Sequence, residues 1–431
     1  MVCLLGGLAL PVAHAADYDA DNNGCPDPDR FADFTVTIEH TADTGSHPAL
    51  VDDLEGYRVP TSPQTPNQVT GSCGDNALLY TWCADSRAYV PVLTHEDDPG
   101  PRGHLFLWFG GLGNRPADVD YVAQMGAFAG YRTINLSWDT HAPGGPNVPL
   151  PCPAPEDECD AGCFFAVSQE LLTGVDDPST DYPAHPMRGI EGKLALALEH
   201  LYEEDVNTSG LTNGLWDWNQ YCEEDRIRWD RIETGGFSLG ANAAAYISYL
   251  HPGSDHPPGN TIGVLAVDAG APTCGDWADP AASSAAAYYP DEFDDHATWP
   301  PCGDTGGDTG DTGGPACPEE NRFVMMHDTG SVALNLARVD LSLEQVSISS
   351  TPADVDTDIT NGTLLDAGTG QLKASYGNLL RTAVNPLGHP HGSMAADQYM
   401  VSATDTGTTA DVASDVYLLP LYLQALCELD Q

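Results

Sequence analysis

The stretch Arg231-Ile-Glu-Thr-Gly-Gly-Phe-Ser-Leu-Gly-Ala-Asn-Ala-Ala-Ala245 decides the reading of this chain. A β-forming run, Arg231–Gly236, meets two glycines and a serine, and an alanine-rich helix, Ala241–Leu250, follows with almost no connecting loop. A strand reverses into a helix over so few residues only by a sharp turn, and small residues are needed where the two backbones approach. Ser238 stands at that turn.

Working outward, the same grammar repeats. His104-Leu-Phe-Leu-Trp-Phe109 reads as a buried strand running into the glycine-rich turn Gly110-Gly-Leu-Gly-Asn-Arg-Pro116. A helix is expected over Asp118–Ala129 and a strand over Tyr131–Leu136. Beyond an irregular, Pro- and Cys-rich region (140–185), an amphipathic helix is expected over Gly189–Leu201, with Ile190, Leu194, Leu196, Ala197 and Leu201 on its apolar side. Two further strands follow, Thr261–Asp268 and Arg322–His327. Strand alternating with helix predicts an α/β fold, a mostly parallel sheet flanked by helices. Phe34–Ile38 and Ala88–Val92 read as edge strands leading into it, and Gly-Asp-Thr repeats at 303–314 as a flexible surface loop.

The chemistry gathers at the turns. Gly236-Phe-Ser-Leu-Gly240 fits G-x-S-x-G, in which a strained strand-to-helix turn leaves the serine Oγ exposed as a nucleophile. The plainer alternative is an ordinary turn serine. Acyl transfer also needs backbone N–H donors for the developing oxyanion, and the candidates are the amides of Leu239 and of Leu112 in Phe109-Gly-Gly-Leu-Gly113. An acid and then a histidine should follow in chain order: Asp268 or Asp328, each after a strand, and His389 or His391 in Gly388-His-Pro-His-Gly-Ser393.

Composition excludes other classes. Sixty-four acidic residues stand against fifteen basic ones, a formal charge of −49, which repels nucleic acid and anionic lipid. The opening Met1–Asp17 carries a short apolar run ending in Ala13-His-Ala15, a signal-peptidase pattern. It implies a mature start near Ala16 and a secreted or periplasmic protein without a stable membrane anchor. Domains are accordingly expected as a signal peptide (1–15), an acidic segment with edge strands (16–100) and a catalytic domain (101–431). Of the twelve cysteines, the eleven after Cys3 suit an oxidised framework of at least three disulfides that ties irregular insertions, with Cys73–Cys83 and Cys302–Cys317 the simplest pairs. Cys152, Cys159 and Cys163 lack a matching second ligand pair, so no metal site is expected there. Asp19, Asp21, Asn23 and Asp27 space oxygens as in a calcium loop, but Arg30 stands where the last carboxylate belongs, and weak or no calcium dependence is expected.

The motifs resemble those of a group of little-characterised secreted bacterial α/β-hydrolases. Trp108–Pro116 resembles their LPGTGG stretch, Tyr131–Ser137 their GY-x-VI-x-LSY, and Cys163-Phe-Phe-Ala-Val their CYEAVR. Gly236–Ala241 resembles GHSQGAGHA and His391-Gly-Ser-Met resembles AHGSV, in the same order, over roughly residues 100–425. Phe237 and Leu239 replace the usual His and Gln, and Gly110 replaces a proline, which bears on substrate preference. The resemblance implies Ser238 as nucleophile and His391 as base, and favours Asp328 over Asp268. It further implies a small-molecule or polymeric ester as substrate, with no organic cofactor. A different class of function is a catalytically silent exported protein that holds a ligand with Trp216, Trp218, Trp229, Tyr288 and Tyr289.

Overall fold

The computed structural model describes residues 35–36, 54–59, 81, 84–91, 102–111, 113–140, 161–178, 180, 184, 189–223, 226–250, 263–267, 322–327, 353–354, 379–382, 394–395, 410–411 and 418–429. In chain order the first strands are β1 (Thr35–Val36), β2 (Leu54–Val59), β3 (Ser86–Pro91), β4 (Leu105–Phe109) and β5 (Arg132–Leu136). They continue as β6 (Cys222–Glu223), β7 (Arg226–Ile227), β8 (Ile232–Phe237), β9 (Val264–Val267) and β10 (Arg322–His327), and end as β11 (Ala353–Asp354), β12 (Leu379–Thr382) and β13 (Ala410–Asp411). The helices are α1 (Asp120–Phe128), α2 (Ala161–Thr173), α3 (Ile190–Ser209), α4 (Leu239–Leu250) and α5 (Leu419–Glu428).

Nine strands form one sheet in the order β11-β12-β10-β9-β8-β4-β5-β3-β2. Every neighbouring pair is parallel except those made by β3, which runs antiparallel to both β2 and β5. Every residue of β4, β5 and β8 is buried, as in a sheet covered on both faces; β4 is continuously apolar, whereas β5 and β8 also bury Arg132, Thr133, Asn135, Glu233 and Thr234. Successive side chains of β4 point to opposite faces. Leu105, Leu107 and Phe109 join Ile134, Leu136 and Trp138 in a core with Val167 and Leu171 of α2, Leu194 and Leu198 of α3, and Ile247 of α4. Phe106 instead stacks near Tyr131, whose hydroxyl donates to the Leu426 carbonyl of α5, and the Trp108 indole donates to the Val119 carbonyl at the start of α1. The sheet is thus a middle layer, with α2, α3 and α4 on one face and α1 and α5 on the other.

The antiparallel strand β3, expected from the sequence at an edge over Ala88–Val92 but lying between β2 and β5, is fixed to this frame by a buried polar cluster. Asp120 of α1 accepts from Arg87 (2.9 Å) and from the Tyr89 hydroxyl of β3, and from Asn135 Nδ2 of β5 (3.1 Å). A carboxylate buried with this many donors keeps its hydrogen bonds without water.

Three further expectations need correction. The strand read over Phe34–Ile38 does not join this sheet: β1 pairs with β13 in a separate two-stranded sheet. The region 140–185 is not irregular throughout: α2 occupies Ala161–Thr173, a proline-free run whose Val167 and Leu171, one turn apart, face the core. Trp216, Trp218 and Trp229 do not line a ligand loop. All three are core residues, 3%, 1% and 6% exposed, tucked beneath α3 where Asp205 accepts from the amides of Leu215 and Trp216. Tyr288 and Tyr289 lie outside the described residues, as do the Cys73–Cys83 and Cys302–Cys317 pairs, the 303–314 repeat and the 1–15 and 19–27 segments. Cys427, in the buried α5, is disulfide-bonded.

Candidate active site

The strand order itself marks a place. From β4 the chain moves outward to β5 on one side, and β8 then enters on the other side of β4. Between such strands the two crossovers diverge and leave a crevice at the carboxyl ends, where ligands of open α/β sheets bind. The register aligns Phe109 of β4 with Gly236 of β8, and Phe237 with Val267 of β9, so the segments leaving these strands emerge side by side.

Ser238 is the whole connection between β8 and α4. Its φ is 56°, left-handed backbone that only one other described non-glycine residue, Asp217, adopts. For an L-residue this costs about 1–2 kcal/mol. The turn is held from both sides: the Ser238 N–H donates to the Val267 carbonyl (2.8 Å), and its own carbonyl accepts from Ala241 (3.1 Å). Phe237 before it and Gly240 after it are buried, whereas Ser238 and Leu239 are partly exposed.

The two glycines of the motif are required by contact. A Cβ on Gly236 would lie 2.2 Å from the Gly240 carbonyl group, and one on Gly240 would lie 2.2 Å from the Phe109 oxygen and 2.6 Å from the Gly110 oxygen. The start of α4 therefore presses directly on the end of β4. Gly240→Ala should destabilise the protein by about 3 kcal/mol, since backbone must move on both sides. Gly103→Ala, with nothing within 4 Å of the added methyl, should shift stability by less than about 0.5 kcal/mol. Denaturant melts of the two variants check this, and equal midpoints would contradict it.

The loop after β4 reaches the serine. A Cβ on Gly111 would stand 2.9 Å from the Ser238 Cβ, so only a glycine lets this loop lie against the turn. Gly111 accepts from the Asn114 amide (3.0 Å), and Gly113, at φ 74°, donates to the Thr140 hydroxyl oxygen (3.0 Å). The Trp138 indole donates to the Gly110 carbonyl (3.1 Å). Thr81 donates its hydroxyl to the Trp138 carbonyl (2.7 Å) and lies 2.9 Å from the Thr140 hydroxyl. Each hydroxyl has one proton, so Thr140 donates to Thr81 and keeps a lone pair for Gly113.

No family model matches the chain, and no curated protein matches it. Solved structures do. A hyperthermophilic esterase from the archaeon Pyrobaculum calidifontis is 12% identical over 75% of this chain and 76% of its own, with a TM-score of 0.29. In a monoclinic form of the esterase from that organism the match spans 58% of this chain and only 50% of the other, at a TM-score of 0.23. A bacterial heroin esterase is 13% identical over 88% and 84% (TM-score 0.32), and an S-formylglutathione hydrolase from Agrobacterium tumefaciens is 14% identical over 73% and 87% (TM-score 0.28). Strand order and turn geometry, rather than these distant likenesses, define the site.

Of the expected site residues, Ser238 and Leu239 are brought to the crevice, with Gly111 against Ser238 and Gly110 against the first turn of α4. Leu239 opens α4, where the first amides of a helix have no acceptor one turn back and favour negative charge. Leu112, Asp268, Asp328, His389 and His391 lie outside the described residues. Asp268 follows Val267, the last residue of β9, and Asp328 follows His327, the last of β10. Among the described residues no group of three or more His, Cys, Asp or Glu is placed to hold a metal, and no helix is long and apolar enough to cross a membrane.

One residue at this end of the sheet escaped the sequence reading. Lys193 of α3 is fully buried, and its ammonium donates to Ser137 Oγ (2.8 Å) just past the end of β5. Burial pulls the lysine down to about 7, against the opposing pull of Asp139 and Asp85. The signal was present in the sequence: one of only two lysines in the chain falls in step with Ile190, Leu194 and Ala197 on the core side of α3.

Proposed function

We propose that this chain is a serine hydrolase of the α/β-hydrolase type that cleaves carboxylic esters through an acyl-enzyme on Ser238. The observation that carries the reading is the left-handed Ser238 held between β8 and α4 at the sheet's switch point, with Gly111 packed against it. A backbone strain maintained by contacts on three sides marks a position kept for its geometry.

In this reading Ser238 Oγ attacks the acyl carbonyl while His391 takes its proton. The Leu239 and Leu112 amides hold the oxyanion. Collapse of the tetrahedral intermediate expels the alcohol, which receives the proton from His391, and leaves the acyl group on Ser238. Water, deprotonated by His391, then releases the acid and restores the serine. Asp328 orients the imidazole. These assignments to His391, Asp328 and Leu112 rest on chain order and on the motif resemblance. The ligand-holding alternative has lost three of its five aromatic residues to the core.

Turnover of p-nitrophenyl esters of graded acyl length tests the reading, and the preferred length defines the acyl pocket. Absence of turnover across the series by folded protein would count against ester hydrolysis.

A further inference from the structure

The buried charges of this molecule fall at different places. Asp205 holds backbone amides in the loop after α3, and Glu233, at the other end of β8, takes His104 and the Gly263 amide. Lys193 instead reaches Ser137, at the start of the segment that carries buried Asp139 and bonds to Gly110 and Gly113.

The connection is short and continuous. Lys193 Nζ donates to Ser137 Oγ (2.8 Å), and the Ser137 N–H donates to Ser86 Oγ (2.9 Å). The next residues, Trp138 and Thr140, grip the Gly110–Gly113 loop at both ends, through the indole to the Gly110 carbonyl (3.1 Å) and through the threonine oxygen from the Gly113 amide (3.0 Å). We propose that Lys193 is a positioning residue: by fixing Ser137 it sets segment 137–140, and through it the height of the Gly110–Gly113 loop over Ser238. The inference rests on the serine-hydrolase reading above and extends it to the residue that holds the oxyanion loop in place.

Two physical arguments favour a role beyond packing. Oxyanion donors act only within about 2.7–3.1 Å of the developing charge, so a shift of a few tenths of an ångström in the loop weakens transition-state binding while leaving ground-state binding almost intact. Burying an ammonium is also costly. Free lysine titrates near 10.4, so between about pH 7 and that value the unfolded chain carries a proton that the folded chain lacks. Stability withheld by this lysine below pH 7 is recovered as pH rises through that window. At this position an apolar side chain would avoid the cost.

The test compares Lys193→Met, the charge-neutral pair Lys193→Met/Asp139→Asn and Ser137→Ala, with Ser238→Ala and Asp205→Asn as references. Asp205 lies about 18 Å further along α3 at 1.5 Å per residue. On a p-nitrophenyl ester, Lys193→Met should lower kcat about 10- to 100-fold with KM within about twofold. The double variant should regain melting temperature lost by the single one while kcat stays low. Ser137→Ala should show the same kcat-only pattern more weakly, and it decides the matter if the lysine variants do not fold. Asp205→Asn should melt earlier yet keep its kcat. Unchanged kcat in the lysine variants, or a kcat that recovers together with melting temperature, overturns the proposal. Full activity in Ser238→Ala would instead overturn the serine-hydrolase reading beneath it.

Discussion

Ser238→Ala should lower kcat by about 10⁴- to 10⁶-fold, because no other group supplies the attacking oxygen and only the oxyanion donors and substrate binding remain. The fold should survive, since alanine fits wherever serine does and the hydrogen bonds of the turn belong to the backbone. A companion variant sharpens the result. Ser238→Gly removes the same hydroxyl and also relieves the left-handed strain, so it should be inactive yet about 1 kcal/mol more stable than Ser238→Ala. A stabilising glycine at an inactive position is the expected mark of strain maintained for function. Steady-state kinetics with thermal melts on the two proteins check both halves.

The second large effect concerns the proton relay. His391→Ala should be nearly as severe as Ser238→Ala, whereas His389→Ala should be mild. Asp328→Asn should cost about 10⁴ in kcat through the wrong imidazole tautomer, and Asp268→Asn should leave most activity. Both aspartates follow parallel strands at the carboxyl edge of the sheet, where β8 also ends. The register pairs Val267 with Met325, so β10 runs two residues past the end of β9 before reaching Asp328. Val267, just before Asp268, is engaged by its carbonyl in holding the Ser238 amide, which suits Asp268 to a role in the turn's support. The reverse ranking, with both proteins folded by circular dichroism, moves the acid one strand earlier.

What the sequence made legible was local. An apolar run ending in glycine marked β4, and a β-forming run ending in two glycines marked β8, because a buried strand and its exit turn are written in consecutive residues. Gly236, Ser238 and Gly240 could be read for the same reason. Helix α2 was obscured by the proline-rich residues before it, although Val167 and Leu171 carry its core face. The tryptophans at 216, 218 and 229 looked like loop aromatics because the helix that covers them is contributed by other residues of the chain. The clamp on the loop after β4 was invisible in principle: Thr81 meets Trp138 and Thr140 across 57 and 59 residues, and Lys193 meets Ser137 across 56. Such pairings exist only once the sheet has brought β3, β4, β5 and α3 together.

The central claim is that Ser238 is an activated nucleophile, and a serine-reactive fluorophosphonate tests it most directly. Incubation with the probe, followed by protease digestion and mass mapping, should place a single phosphonyl adduct on Ser238, with matching loss of esterase activity and no adduct on Ser238→Ala. Folded wild-type protein that hydrolyses esters but carries its adduct on another residue, or that remains unlabelled under conditions that label a known serine esterase, would contradict the account.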